Sequence, residues 1–366
     1  MLDRNQAIRE TFSSMRRETK ARHRDIAEKL NISEAELIAA HVGAFADDPS
    51  AILRATCLSQ DWPAILASLQ PLGEVMALTR NASCVHEKTG VYREVSHTHH
   101  VGLVLGGEID LRIFYQQWVY GFAVIERDQQ VERVDQIAQR SLQFFDASGV
   151  AIHKIFLKPQ SDLAAYEKLL QKFTADEQIV GITPKLAATK IPELADADID
   201  VFGFRQAWAS MRDTHEFFGL LKKFSVSRTQ ALRLAEPRFV QQLDIGSCQE
   251  LLQATAVEGV PMMVFVGNPG MIQIHSGAIK KIAVMGPWIN VLDARFNLHL
   301  REDHIASSWV VKKPTVDGLV TSLELFDAEG ETIAMFFGER KPGKPELCEW
   351  RALIENLLQE SESCAV

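Results

Sequence analysis

His215 is the residue whose neighbours most invite chemistry. It lies in Trp208-Ala-Ser-Met-Arg-Asp-Thr-His-Glu-Phe-Phe-Gly-Leu-Leu-Lys-Lys-Phe224. If that stretch is one helix, Trp208, Met211, His215 and Phe218 recur three or four apart on one apolar stripe. Asp213 and Glu216 also permit a capping box that would start a helix just before His215. Either way an imidazole is displayed among large apolar groups. A neutral imidazole so placed suits the axial position of an iron porphyrin, whose faces want apolar contact. A satisfied core or capping histidine fits the same pattern. A dianionic porphyrin also needs cations, and Arg112, Arg228 and Arg340 each sit beside apolar or turn residues. Their planar forks could hold carboxylates, although each read singly is also an ordinary surface arginine.

Other constellations carry less. His97-Thr-His-His100 could ligate a metal, but neighbours on a strand point to opposite faces and no carboxylate spacing completes a set. A solvated turn is the simpler reading. Gly102-Leu-Val-Leu-Gly-Gly107 lacks the glycine spacing of a nucleotide cradle, and no GxSxG or HExxH is present. The block Leu30–Leu37 permits a helix-turn-helix, with a plain helical hairpin as the alternative. The five cysteines are scattered and never form a CxxC pair, which suits a reducing compartment.

The elements that must position these residues repeat. Ser141-Leu-Gln-Phe-Phe-Asp-Ala-Ser-Gly149 reads against Ser322-Leu-Glu-Leu-Phe-Asp-Ala-Glu-Gly330, with Ile152 and Phe156 in step with Ile333 and Phe337. Ile109–Ile113 matches Leu292–Phe296, and Leu30–Leu37 resembles Phe224–Ala231. The order is the same in both halves, so the chain reads as a tandem duplication: residues 1–188, then 189–366. Ala21 stands where the second half has His215, so the histidine is not repeated. Each half starts helical, with capping-box spacing at Ser33–Glu36 and Ser227–Gln230, and Pro237 closing the second of these helices. Strands are expected at Val101–Leu105, Trp118–Ile125, Pro261–Val266, Ile282–Met285, Ser307–Lys312 and Thr332–Phe337. Crossover helices do not alternate with them. The expectation is therefore α+β, each half a large antiparallel sheet with flanking helices.

Composition sets the outer limits. The chain has 366 residues, 46% hydrophobic and 24% charged, which is ordinary for a globular protein of two domains. A net charge of −9 argues against nucleic acid or an anionic membrane as the main partner. The first residues are polar and no apolar run approaches a membrane span, so a cytoplasmic protein is expected.

Asp213-Thr-His-Glu-Phe-Phe-Gly-Leu-Leu-Lys-Lys-Phe224 and Met285-Gly-Pro-Trp-Ile-Asn-Val-Leu-Asp-Ala-Arg-Phe-Asn-Leu-His-Leu-Arg-Glu-Asp303 resemble the bacterial hemin-degrading factor family, the haem-utilisation proteins of the HemS/HmuS type. The resemblance extends over the whole chain and includes Val85-His-Glu87 and Asp110-Leu-Arg-Ile-Phe114. It implies two repeats, with haem in a cleft beside the second sheet and its helices. It implies His215 as the proximal iron ligand, Arg112 on the distal side with Phe114 as a pocket aromatic, and Arg340, Arg228 and Lys313 as polar or propionate contacts. Phe337 stands where several relatives carry a tyrosine, and His86 is a further candidate haem ligand. Two activities are consistent with the family: oxidative opening of the porphyrin with release of iron, or carriage of haem to a separate oxygenase. Without a flavin or nicotinamide fingerprint, electrons would come from a reductant or reductase. An inner-membrane haem importer is a further expected partner, and the protein would act as a monomer or dimer. A DNA-binding, haem-responsive regulator is the third class, resting on the Leu30–Leu37 hairpin.

Overall fold

The computed structural model describes residues 4–19, 21–44, 51–127, 137–186, 190, 192–340 and 343–364. Its strands fall into two nine-stranded sheets, and the chain forms two compact units. The first unit comprises residues 1–80, 87–188 and 268–273, and the second comprises 81–86, 189–267 and 274–366. The α+β expectation holds. Among the described residues no helix is long and apolar enough to cross a membrane.

In the first unit, β1 (Leu53–Cys57), β2 (Val75–Arg80), β7 (Tyr120–Arg127), β8 (Ile137–Phe145) and β9 (Ala151–Leu157) run in the order β1-β7-β8-β9-β2. The strand β3 (Cys84–Gly90) follows β2 in sequence, and β4 (Val95–Thr98), β5 (Val101–Leu105) and β6 (Asp110–Phe114) form an antiparallel ribbon. Helices α1 (Arg4–Glu18), α2 (His23–Lys29) and α3 (Glu34–Ala39) bury Phe12, Ile26, Leu37 and Ile38 against Leu53, Phe122, Val124 and Phe145. A second core gathers Trp62 of α4 (Trp62–Ala67) and Tyr166 of α5 (Leu163–Phe173) with Trp118 and Phe144. Ser33 and Glu36 make the expected capping box. Helix α3 buries Glu34, Ala35, Leu37, Ile38 and Ala39, so the Leu30–Leu37 block is a packed helical hairpin whose second helix lies mostly in the core.

The second unit repeats this plan. Helices α6 (Val201–Ala209), α7 (Glu216–Phe224) and α8 (Arg228–Leu234) precede β10 (Val240–Leu243) and α9 (Ser247–Glu258). The strands that follow are β11 (Met262–Asn268), β12 (Met271–Gly277), β13 (Ile282–Met285), β14 (Trp288–Leu292), β15 (Phe296–Arg301), β16 (Ser307–Thr315), β17 (Gly318–Phe326) and β18 (Thr332–Gly338), and α10 (Cys348–Cys364) ends the unit. Strands β10-β16-β17-β18-β11 take the order of their counterparts in the first unit. The duplication is visible atom by atom in the β8–β9 and β17–β18 turns. Asp146 Oδ1 accepts the N–H groups of Ser148 and Val150, and Asp327 Oδ1 accepts those of Glu329 and Glu331. Gly149 and Gly330 close these turns at φ 81° and 74°, a region that favours glycine. Ser227 caps α8 through the Gln230 N–H, but the Gln230 side chain turns to Leu194 and Asp196, so only half of the expected box forms.

Short segments exchange between the halves of the sequence. Asn81, in the second unit, donates to the Ile333 carbonyl at 2.8 Å, and Asn268, in the first, donates to the equivalent Ile152 carbonyl at 2.9 Å. Each asparagine also accepts backbone N–H groups of its own turn, from Ser83 and Cys84 in one case and Gly270 in the other. Each exchanged segment is thus anchored inside its unit by a matched asparagine side chain.

Glu34 provides a pH test of the first unit. It is buried between Lys154 and Arg80, the latter at 2.5 Å. Burial would raise its carboxyl, but the two cations outweigh burial and hold it down at about 2. A group depressed in this way adds stability above its unfolded value and loses it as pH falls through the folded one. The thermal midpoint should therefore drop between pH about 5 and about 2, and Glu34→Gln should flatten that limb while lowering stability at neutrality. Melting curves of the two proteins across this range decide it; limbs of equal steepness would reject the assignment.

Candidate functional site

His215 is not part of a continuous helix from Trp208. Helix α6 ends at Ala209 and α7 begins at Glu216, with His215 as its N-cap. The stripe is correspondingly split. Trp208 and Met211 are buried, whereas the His215 side chain is 90% exposed and Phe218 is 76% exposed. The intervening loop is held at both ends. Trp208 Nε1–H donates to the Lys312 carbonyl at 3.1 Å, and the Arg212 carbonyl accepts the Val316 N–H at 2.9 Å. Trp208 also packs edge-on against Phe217 and stacks on Phe239, fixing where α7 starts.

Asp213 then orients the ring. Its Oδ1 accepts both the His215 backbone N–H at 2.8 Å and the Nδ1–H at 2.7 Å. The hydrogen bonds from His215, aided by the charge of Arg340, hold the Asp213 carboxyl below its usual range. With Nδ1 engaged by Asp213, Nε2 is the ring nitrogen left without a partner from this aspartate, on a side chain that is 90% exposed. A carboxylate behind a histidine in this way is the arrangement that fixes tautomer and basicity in metal-ligating imidazoles. Arg340 lies 3.7 Å from Asp317, in the loop between β16 and β17 that also anchors Arg212.

A second cluster gathers three of the expected residues around one that sequence reasoning missed. Glu324 is fully buried on β17; Arg228 Nε–H donates to its Oε2 at 2.7 Å, and Lys313 Nζ donates to its Oε1 at 2.6 Å. Arg228 and Lys313 lie 5.0 and 4.7 Å over the Phe217 ring, and Phe337 is 5.9 Å from Lys313. Burial lowers Lys313 to about 8, with Glu324 opposing the shift. Burial would raise Glu324, but Arg228 and Lys313 hold it well below the carboxylate range.

The first unit inverts these charges. Registers Val124–Ser141 and Val311–Ser322 place Glu126 where the second unit has Lys313. Glu126 binds Arg16 and His23, and Gln143 stands at the position of Glu324. That Gln-to-Glu difference is a charge change inside the repeated block, and it was the available signal for Glu324. Arg112 and Phe114 lie in the first unit on β6, where Arg112 is half-buried and bonds Asp110, and Phe114 N–H donates to the Gly270 carbonyl. His86 is fully buried, 4.9 Å from the Phe296 ring. His97, His99 and His100 lie exposed on a hairpin, and among the described residues no group of three or more histidines, cysteines or carboxylates is arranged to hold a metal.

Comparison with known proteins matches the duplication. The haemin-degrading HemS.ChuX domain fits this chain twice, over residues 31–173 and 225–357. The hemin transport protein HmuS of Yersinia pestis is 39% identical over 92% of this chain and 93% of its own length. The haem-bound structure of PhuS, a haem-binding protein from Pseudomonas aeruginosa, is 43% identical, with a TM-score of 0.91 over 97% of this chain and 99% of that one. The haem-degrading enzyme ChuS of Escherichia coli O157:H7 is 34% identical, with a TM-score of 0.85 over 96% and 99% of the two chains.

Proposed function

The chain belongs to the haemin-degrading HemS.ChuX family, and from that premise we propose that it binds haem through His215 and opens the porphyrin oxidatively when given an external reductant. One observation carries the reading. Asp213 engages the Nδ1 side of the His215 ring on a side chain that is 90% exposed, which leaves Nε2 as the nitrogen that would bind haem iron. The exposed Phe218 ring, one turn further along α7, offers apolar contact to a porphyrin face.

The chain's own residues divide the work. His215 binds, and Asp213 orients it. Arg228 and Arg340 supply cations for propionates, with Lys313 behind them. By the family resemblance Arg112 and Phe114 are further haem contacts; a guanidinium keeps its proton, so Arg112 would donate hydrogen bonds and would not itself ligate iron. Electrons come from a reductant or partner reductase, and dioxygen oxidises the ring. Haem arrives from an inner-membrane importer. The thiols of Cys84 and Cys248 are buried and unpaired, which suits work in a reducing cytoplasm.

Carriage to a separate oxygenase is the second reading, favoured by the transport role in the name of HmuS and by Phe337, an aromatic that offers no hydroxyl. Turnover separates the two. Haem-loaded protein given a reductant in air, with catalase present to remove free peroxide, should lose its Soret band and yield an open-chain tetrapyrrole and iron. Arg112→Ala should slow that reaction more than it weakens binding. Haem that survives with catalase and passes intact to an added acceptor would establish the carrier instead.

A further inference from the structure

Glu324 already occupies the cations that a haem carboxylate would use. Both of its oxygens are engaged: Oε2 by Arg228, and Oε1 by Lys313 and by the Ser322 hydroxyl at 2.9 Å. The three charged groups differ in access. The Arg228 side chain is 24% exposed, Lys313 is 4% exposed, and Glu324 is not exposed at all. Ligand can therefore reach Arg228 first. The cluster is walled by Phe217, Phe337 and Met335, the last 3.1 Å from Arg228 Nη2. In such a setting a second carboxylate cannot share the pair cheaply, because like charges at short range in a low-dielectric site repel strongly.

We propose that Glu324 is a resident carboxylate that a haem propionate displaces from Arg228, so that the site takes and releases haem by exchange of one carboxylate for another. This rests on the haem reading of the preceding section. The exchange is close to balanced, because one charge-assisted hydrogen bond replaces another. Glu324 is not stranded when Arg228 turns outward, since Lys313 and Ser322 keep both kinds of partner on Oε1. A cation pair with no resident carboxylate would hold haem harder and release it more slowly. The first unit supplies an internal control: Glu34, Arg80 and Lys154 form a buried triad of the same composition with no histidine like His215 at the equivalent place, which is Ala21.

The test is the rate at which loaded protein gives up haem to an excess of a high-affinity scavenger. Glu324→Gln removes the competitor at constant size, and release of haem should slow about tenfold, the scale of one charge-assisted hydrogen bond. Release of haem dimethyl ester, which has no free propionate, should not change, and Glu34→Gln should release haem at the wild-type rate. Unchanged haem release from Glu324→Gln, equal slowing for the ester, or equal slowing by Glu34→Gln would each overturn the exchange. If Glu324→Gln does not fold, a structure of the haem-loaded wild type decides. Arg228 should then bond a propionate oxygen, and an Arg228–Glu324 bond still in place with the propionates elsewhere would overturn the idea. A wild-type protein that binds no haem at all would remove the haem reading itself, and the exchange with it.

Discussion

Replacing His215 with alanine should weaken ferric haem binding about 100-fold, roughly 2.7 kcal/mol, and shift the Soret band while leaving far-UV ellipticity intact. The size follows from the geometry around the ring. Groups that only orient a metal-binding histidine are commonly worth 10–100-fold, so the ligand itself should sit at the top of that range. Asp213→Asn should cost about tenfold, because it keeps the shape of the clamp but no longer presents a carboxylate to Nδ1–H. Fold is spared because His215 lies at a helix start with its side chain in solvent and buries nothing. Titration by absorption, with and without added imidazole, checks the claim. Imidazole should restore the wild-type spectrum to the alanine variant. An unchanged spectrum and affinity would reject His215 as the ligand.

Trp208→Ala should destabilise the second unit by about 3–5 kcal/mol, the range for truncating a large buried aromatic. Trp208 is 1% exposed and touches Phe204, Phe217 and Phe239 edge-on or stacked. Its loss leaves a cavity at the junction of α6, α7 and β16, and strips the Lys312 carbonyl of its donor. Trp208→Phe should cost much less, about 1–2 kcal/mol, since most ring contacts survive. Denaturant unfolding gives both values. A cost below about 1 kcal/mol for alanine would mean that the helices are held elsewhere. Because the same residue fixes where α7 starts, the alanine variant should also bind haem more weakly than Trp208→Phe.

Much of this was legible in order along the chain. Strand ends at Val101–Leu105 and Ile282–Met285 fell where apolar runs meet turn residues. The repeat was readable because the two halves share a hydrophobic pattern and matched turn chemistry, with Asp146 and Asp327 reaching the same backbone groups. His215 could be singled out because an imidazole among aromatic groups is unusual whatever the helix boundaries. Its surroundings were less legible. The periodicity placed His215 and Phe218 with Trp208 on a single stripe, but the chain breaks at Ser210, and the two ends of that stripe separate into core and surface. Spacing alone cannot reveal a break that is enforced by a distant hydrogen bond, here from Val316 to Arg212.

The sequence by itself determined the class of fold, the duplication and the family, because all of these are written in local pattern and in motif. Tertiary structure alone decided that residues 81–86 and 268–273 cross into the opposite units, and that Glu324 sits between Arg228 and Lys313. Strand pairing joins residues far apart along the chain, and a buried charge takes its meaning from whichever partners the packing brings within 3 Å of it. Arg228 and Lys313 could be named from the sequence, but that they meet at Glu324 could not.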